Sequence, residues 1–238
     1  MTGRELVGAV VVVTRAEVQA ASLVERLRSL GAEVVEAPVI EVVPPSDGGV
    51  ALRQAVDRMA DYDWLVLTSA NTVAALTSCA VHGLAQLGVI GSATADFAGS
   101  AGLEPAFVPS SFGAEAFVEE FPPGPGRVLL PQAADARPTL AEGLRAKGWR
   151  VDTVEAYDKR SVRPPDEILR HAEASDAIVF TSPSTVINYL AVARAPSIVI
   201  CIGPTTAKTA EENGLAPYIA DPHTVDGIVD VLIREVRR

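Results

Sequence analysis

Cysteine is nearly absent from the 238 residues: Cys79 and Cys201 are the only two, each in an apolar neighbourhood. Two such thiols cannot build a disulfide framework, and a reducing, cytoplasmic compartment fits them best. Histidine is almost as scarce. His82, His171 and His223 are scattered, and no Cys/His pair has metal-ligand spacing, so a metal site is not expected. His82 and His171 read as solvated helix ends, and His223 as surface near the start of the last helix. Basic residues are outnumbered, 20 Lys and Arg against 30 Asp and Glu, which leaves a net charge of −10. A nucleic-acid surface needs clustered Lys and Arg and is disfavoured. A small anionic ligand responds to the local field and is not excluded. No Gly-x-Gly-x-x-Gly follows a strand and no Gly-Lys-Ser/Thr loop exists, which disfavours NAD and ATP. There is no Gly-x-Ser-x-Gly elbow, so a hydrolase triad is not expected. No apolar stretch is long enough to span a bilayer. The run Leu6 to Val13 ends in Thr14-Arg15 without a small-residue cleavage pattern, and reads as a buried strand rather than a signal-peptide core.

What is present is apolar and repetitive. Hydrophobic residues make up 48% of the chain, enough for a sizeable core and too many for global disorder. Residues 65–76, Leu-Val-Leu-Thr-Ser-Ala-Asn-Thr-Val-Ala-Ala-Leu, return in altered form at 178–190 as Ile-Val-Phe-Thr-Ser-Pro-Ser-Thr-Val-Ile-Asn-Tyr-Leu. Ile90-Gly91-Ser92-Ala93-Thr94-Ala95 likewise matches Ile202-Gly203-Pro204-Thr205-Thr206-Ala207, and Gly102-Leu103 matches Gly214-Leu215. Upstream, Val11–Val13 leads to Leu27-Arg28 and Gly31 as Val128–Leu130 leads to Leu144-Arg145 and Gly148. A repeat of half-chain period means a duplicated βα unit and predicts two similar lobes. Two lobes create a cleft, where a small molecule would bind.

Short Val/Ile/Leu runs alternate with helical patterns, the signature of parallel sheets covered on both faces. Strands are predicted near 9–14, 33–37, 63–68, 87–91, 105–108, 126–131, 150–154, 176–181, 197–202 and 217–220, five per lobe. A helix is predicted over 17–30 with Ala21, Leu23, Val24, Leu27 and Leu30 on one side, and another over 224–236 with Ile228, Val229, Leu232 and Val236 at helical spacing. Three breaker clusters compete as boundaries: Pro122–Gly126, Pro44-Pro45 and Pro164-Pro165. Pattern alone does not choose between them.

Four strand-to-helix turns carry small hydroxyl, amide or proline residues: Thr68–Thr72, Gly91–Thr94, Thr181–Thr185 and Gly203–Thr206. In an open parallel sheet such turns lie beyond the carboxyl ends of the strands, where ligands bind. The helix starts that follow offer backbone N–H groups and a positive dipole end to a carboxylate or phosphate. The plainer reading makes Ser69, Ser92, Ser182 and Thr205 ordinary helix caps. Arg15, at the end of the first strand, reads either as a bidentate carboxylate ligand or as a solvated loop arginine. Its counterpart in the second copy is Gln132. Tyr157, whose counterpart is Ile40, reads either as a proton donor or acceptor or as a tyrosine packed at a strand end.

Val-Thr-Arg at 13–15, Leu-Thr-Ser at 67–69, Glu-Ala-Tyr at 155–157, Phe-Thr-Ser-Pro-Ser at 180–184 and Ile-Gly-Pro-Thr-Thr-Ala at 202–207 together resemble the uroporphyrinogen-III synthase family over essentially the full length. Each motif is short; their order and spacing carry the match. The resemblance implies an α/β fold of two flavodoxin-like (Rossmann-like) lobes with parallel sheets, joined by a two-stranded antiparallel connection. One lobe would be 1–37 with 164–238 and the other 44–155, with 38–43 and 156–163 as the connections. It implies cyclisation of the linear tetrapyrrole hydroxymethylbilane to uroporphyrinogen III with inversion of ring D and loss of water, needing no cofactor and no metal. In that reaction, loss of the ring A hydroxyl gives an azafulvene, the substituted carbon of ring D attacks, and a spiro intermediate fragments and recloses.

Residue by residue, Tyr157 matches the family's tyrosine that assists departure of the hydroxyl. Thr14, Arg15, Ser69, Ala70, Asn71, Thr94, Gln132, Ser182, Pro183, Ser184, Gly203, Thr205 and Thr206 match positions expected at the substrate's acetate and propionate groups. Arg137, Lys159 and Arg160 would add local positive charge. Ser92-Ala93-Thr94 departs from the family's usual Gly-Pro-x-Thr, which the second copy keeps. A rival reading is a noncatalytic sensor of the same fold; the absence of a winged-helix segment before Arg238 favours a stand-alone, monomeric enzyme without nucleic-acid or membrane partners. A two-lobed binding protein of the periplasmic type is disfavoured by the missing signal peptide.

Overall fold

The structure is a computed structural model that describes residues 5–15, 17–79, 83, 85–111 and 113–237, the side chains of 17–19 excepted. His82 lies outside the described residues. The chain divides into two compact units, Met1–Glu41 with Arg160–Arg238, and Val42–Lys159. The Pro122–Gly126 cluster lies inside the second unit.

The first unit holds β1 (Val10–Val13), β2 (Glu33–Glu36), β8 (Ala177–Phe180), β9 (Ile198–Cys201) and β10 (Pro217–Ile219). Their order is β10-β9-β8-β1-β2, with every pairing parallel. Tetrapeptides as short and apolar as Val-Val-Val-Val and Ala-Ile-Val-Phe suit strands buried on both faces. Successive side chains of β1 alternate between two cores. Val11 and Val13 join Leu23, Leu27, Ile228 and Leu232 on one face, while Val12 joins Phe180, Val186, Tyr189 and Ala207 on the other. The helices follow suit: α1 (Glu17–Ser29) and α10 (Val225–Val236) cover the first face, and α8 (Pro183–Leu190) and α9 (Pro204–Glu212) the second. On α1 the buried alanine is Ala20 rather than the expected Ala21, because Ala20 shares the helix face of Leu23, Val24 and Leu27. In α7 (Asp166–Glu173) His171 occupies the last turn, 3.2 Å from Glu33.

The second unit holds β4 (Trp64–Leu67), β5 (Gln86–Val89), β6 (Gly126–Ala133) and most of β7 (Trp149–Ser161), in the order β5-β4-β6-β7, with β3 (Ile40–Val43) beyond β7. Its two faces pack Leu65 and Leu67 with Leu52, Val56, Val73 and Leu76, and Trp64 and Val66 with Phe117, Phe121, Leu140 and Leu144. The helices that supply them are α2 (Val50–Asp57), α3 (Ala70–Thr77), α5 (Ala114–Glu120) and α6 (Thr139–Ala146); α4 (Ser92–Ser100) follows β5. One strand expectation changes. Residues 105–108 form only a single bridge, Gly88 to Phe107, beside β5, the place that β10 takes beside β9. Residues 40–43, in the stretch expected to form one arm of the two-stranded connection, form β3.

The duplication is visible in the registers. Val11 pairs with Val34 and Ala177 as Val128 pairs with Val151 and Trp64. Each sheet combines elements of both copies: β1 and β2 lie with β8–β10, and β6 and β7 lie with β4 and β5.

Candidate functional site

Strand order reverses direction between β1 and β8 in one sheet, and between β6 and β4 in the other. Ligands of open α/β sheets bind beyond the carboxyl ends of the strands at such switch points. Each unit therefore has one candidate edge. In the first, Thr14 and Arg15 follow β1, and Thr181 and Ser182 follow β8. In the second, Thr68 and Ser69 follow β4, and Gln132 lies near the end of β6.

The repeated hydroxyls have a structural task first. Ser69 is the extended N-cap of α3: its Oγ accepts from Thr72 N–H at 3.3 Å, and Thr72 Oγ1 accepts from Ser69 N–H at 3.1 Å. Ser182 and Thr185 repeat that capping box at α8, at 3.3 Å in both directions. A cap of this kind is worth about 1 kcal/mol. At α4 and α9 the N-caps are Gly91 and Gly203, without a side-chain cap bond, so Ser92 and Thr205 are not the caps they resemble. Both lie in the first turn with exposed side chains.

All four helices place a threonine at their third position, Thr72, Thr94, Thr185 and Thr206, and every one is buried. Helical side chains tilt back toward the N-terminus, which here turns them onto the sheet. Thr94 and Thr206, expected at a ligand, therefore have interior side chains. Thr14 is interior too, fully buried with its hydroxyl donated to Val179 O at 3.0 Å, tying β1 to β8 across the switch point.

What the turns present outward is mainly backbone. First-turn N–H groups lack intrahelical partners, and around Ala70 and Asn71 both are available. Pro183 and Pro204 each remove one in the first unit, leaving those of Ser184 and Thr205. Ser184 Oγ lies 3.0 Å from Ser182 Oγ. His223 has Nδ1 2.7 Å from Ala220 O, so that nitrogen carries the proton, and its ring lies beside Gly203. Arg15 is half-buried, and burial lowers its guanidinium pKa; an arginine so placed still stays charged at neutral pH. Arg137 and Arg160 are exposed, and Lys159 is paired with Asp135 at 3.0 Å.

Tyr157 stands apart. Pairing of β6 with β7 runs in register to Gln132 and Glu155, then slips so that Ala133 faces Tyr157, with Ala134 N–H bonded to Tyr157 O at 2.9 Å. Such a bulge re-aims a side chain. Here it places Ala156 and Tyr157, consecutive residues, both in the core beside Leu65, Leu67 and Val73. Tyr157 is 7% exposed, and its hydroxyl lies 3.3 Å from Ser69 Oγ. That pairing was not foreseen from sequence. The signal for the bulge was the Ala-Tyr step, which interrupts strand alternation, but the partner across β6 and β4 depends on strand order.

Among the described residues no group of three or more His, Cys, Asp or Glu side chains is arranged to hold a metal ion. Among them, too, no helix is long and apolar enough to cross a membrane.

A family profile described as uroporphyrinogen-III synthase HemD matches residues 21–230. The uroporphyrinogen-III synthase of Synechococcus elongatus is 32% identical, over 96% of this chain and 96% of that protein. The porphyrin biosynthesis protein HemD of Ruminiclostridium josui is 30% identical over 97% of this chain, which spans 49% of that longer protein. The fold is similar to that of uroporphyrinogen-III synthetase from Helicobacter pylori, with TM-score 0.66 at 16% identity, covering 95% and 99% of the two chains. It is also similar to a mutant uroporphyrinogen III synthase from Thermus thermophilus, with TM-score 0.63 at 20% identity, covering 97% and 99%. Matched by that profile over most of its length and by a full-length relative above 30% identity, this chain belongs to the uroporphyrinogen-III synthase family.

Proposed function

We propose that this chain cyclises hydroxymethylbilane to uroporphyrinogen III, inverting ring D and releasing water. The observation that carries the reading is a core-anchored phenol, Tyr157, held against a helix-capping hydroxyl at the carboxyl edge of its sheet. The phenol donates its proton to the ring A hydroxyl as that C–O bond breaks. Water leaves, and the pyrrole nitrogen's electron pair stabilises the azafulvene. The substituted carbon of ring D bonds to the ring A methylene to give the spiro intermediate, which fragments and recloses, and the proton finally lost restores the phenol. Atoms and electrons balance without an oxidant or reductant, so the reaction itself demands no electron carrier.

The bilane can close without enzyme to the uninverted isomer. The protein's larger task is then orientation, holding the chain so that the less accessible carbon attacks. In this reading the N–H groups around Ala70, Asn71, Ser184 and Thr205, with Arg15, Gln132 and the turns at Ser182 and Gly203, hold the acetate and propionate carboxylates. The proposed enzyme is monomeric and cytoplasmic, with a small molecule as its partner rather than nucleic acid or membrane. Relatives named for the synthase support catalysis over a noncatalytic sensing role.

The test is the isomer made by purified protein from hydroxymethylbilane. Uroporphyrinogen III is expected; isomer I alone, matching a protein-free blank, overturns the reading.

A further inference from the structure

We propose that Ser69 is a positioning residue for Tyr157, donating its hydroxyl hydrogen to the phenol oxygen and leaving the phenol O–H directed at the departing hydroxyl. The inference rests on the reading of Tyr157 as the proton donor.

The geometry confines both partners. Tyr157 is wedged by its ring among Leu65, Leu67 and Val73, so the phenol oxygen has little freedom. Ser69 is fixed by the capping box, in which its Oγ accepts from Thr72 N–H at 3.3 Å. A serine hydroxyl has one hydrogen and two acceptor sites. With one acceptor site used by the helix, the remaining O–H reaches the phenol oxygen at 3.3 Å. The opposite polarity, phenol to serine, would tie up the proton that the reaction needs.

The duplication supplies an internal comparison. Ser182 repeats the same cap, yet its Oγ meets Ser184 Oγ at 3.0 Å, and the counterpart of Tyr157 is Ile40, packed in the core of its own unit. Capping therefore does not require a tyrosine. The Ser69–Tyr157 contact is an addition made in one copy, where the bulge at Ala133 turns the phenol toward β4.

The experiment compares Ser69→Gly, Ser69→Thr, Tyr157→Phe and the Ser69→Gly/Tyr157→Phe double variant of the full chain. Glycine is nearly as good an N-cap as serine, so α3 keeps its start while the phenol loses its partner. Threonine keeps both. Steady-state consumption of hydroxymethylbilane is expected to show kcat down about tenfold in Ser69→Gly with KM little changed, recovery in Ser69→Thr, and no further loss in the double variant relative to Tyr157→Phe. Undiminished or raised kcat in Ser69→Gly overturns the proposal, because the phenol would then have been the donor. A raised KM at constant kcat, or an equal loss in the phenylalanine background, also overturns it in favour of direct substrate contact or capping alone.

A second readout needs no turnover. The tyrosine Raman doublet reports whether a phenol donates or accepts, and the wild-type minus Tyr157→Phe difference isolates this residue. An accepting phenol that loses this signature in Ser69→Gly supports the proposed polarity even if no isomer III is made. A donating phenol sinks it even in a fully active enzyme.

Discussion

Tyr157 and Ile40 occupy corresponding, buried places in a duplicated chain, and of the two only Tyr157 carries a polar atom, the oxygen of its phenol. General acid assistance by a positioned side chain contributes roughly 10²- to 10⁴-fold. Tyr157→Phe removes that atom and preserves the packing. We expect turnover of hydroxymethylbilane to fall about 100-fold or more while affinity for uroporphyrinogen III, measured by titration, stays within about threefold. Unchanged turnover would reduce Tyr157 to a packing residue. At this scale the sequence displayed Ser69 and Tyr157 separately. Their contact was hidden because a slip of one residue between β6 and β7 decides which way the phenol points. Thr14, Thr94 and Thr206 show the converse: a hydroxyl in the right turn still faces inward when its helix or strand position aims it at the core.

Between residue and fold, the elements follow from pattern where burial is two-sided and fail where it is not. The apolar tetrapeptides of β1, β4 and β8 were plain from composition, whereas 105–108 contributes one bridge at a sheet edge. Glycines within helices sort by neighbours rather than by propensity. A Cβ at Gly227 in α10 would sit 1.9 Å from Pro222 O, whereas one at Gly99 in α4 meets nothing within 4 Å. Gly227→Ala should destabilise by about 1–3 kcal/mol through overpacking. Gly99→Ala should stabilise by about 0.5–1 kcal/mol through helix propensity. Urea unfolding of both variants checks the opposite signs.

Far from the candidate edge, β6 and β7 are cross-linked by charge. Asp152 accepts from Arg127 at 2.7 Å and from the Tyr62 hydroxyl at 3.0 Å, and the Arg127 guanidinium stacks 4.9 Å from the Tyr62 ring centroid. Desolvation pushes the Asp152 pKa up, but the bonds from Arg127 and Tyr62 outweigh it and hold the carboxyl below its ordinary value. A carboxylate depressed by folding stabilises above its unfolded pKa, about 4, and loses that contribution as pH falls through the lower folded value. Asp152→Asn should therefore lower Tm at neutral pH, with the gap to wild type closing as the medium is acidified below about pH 4. A gap independent of pH in thermal melts would show that the charge is not what matters.

At the scale of the whole molecule, the two units differ in how the chain supplies them. Both cores of Val42–Lys159 are drawn from that continuous segment, from Leu52 to Tyr157. The cores of the other unit mix Leu6 to Ile40 with Ala172 to Leu232. The isolated segment 42–159 should accordingly fold with a cooperative urea transition, while 1–41 alone should not. A broad, non-cooperative loss of ellipticity from the 42–159 fragment would contradict that independence.

The sequence by itself determined the α/β class, the duplication and the four matched turns, because these rest on local periodicity and on residues close together along the chain. It also carried the resemblance to the uroporphyrinogen-III synthase family, through the order of short motifs. Only the tertiary structure decided the order of the strands within each sheet, that the threonines of the turns face inward, and that the Tyr157 phenol meets Ser69. Those are matters of strand order and register. They are set by the burial of whole faces across distant segments, which no local window of sequence contains.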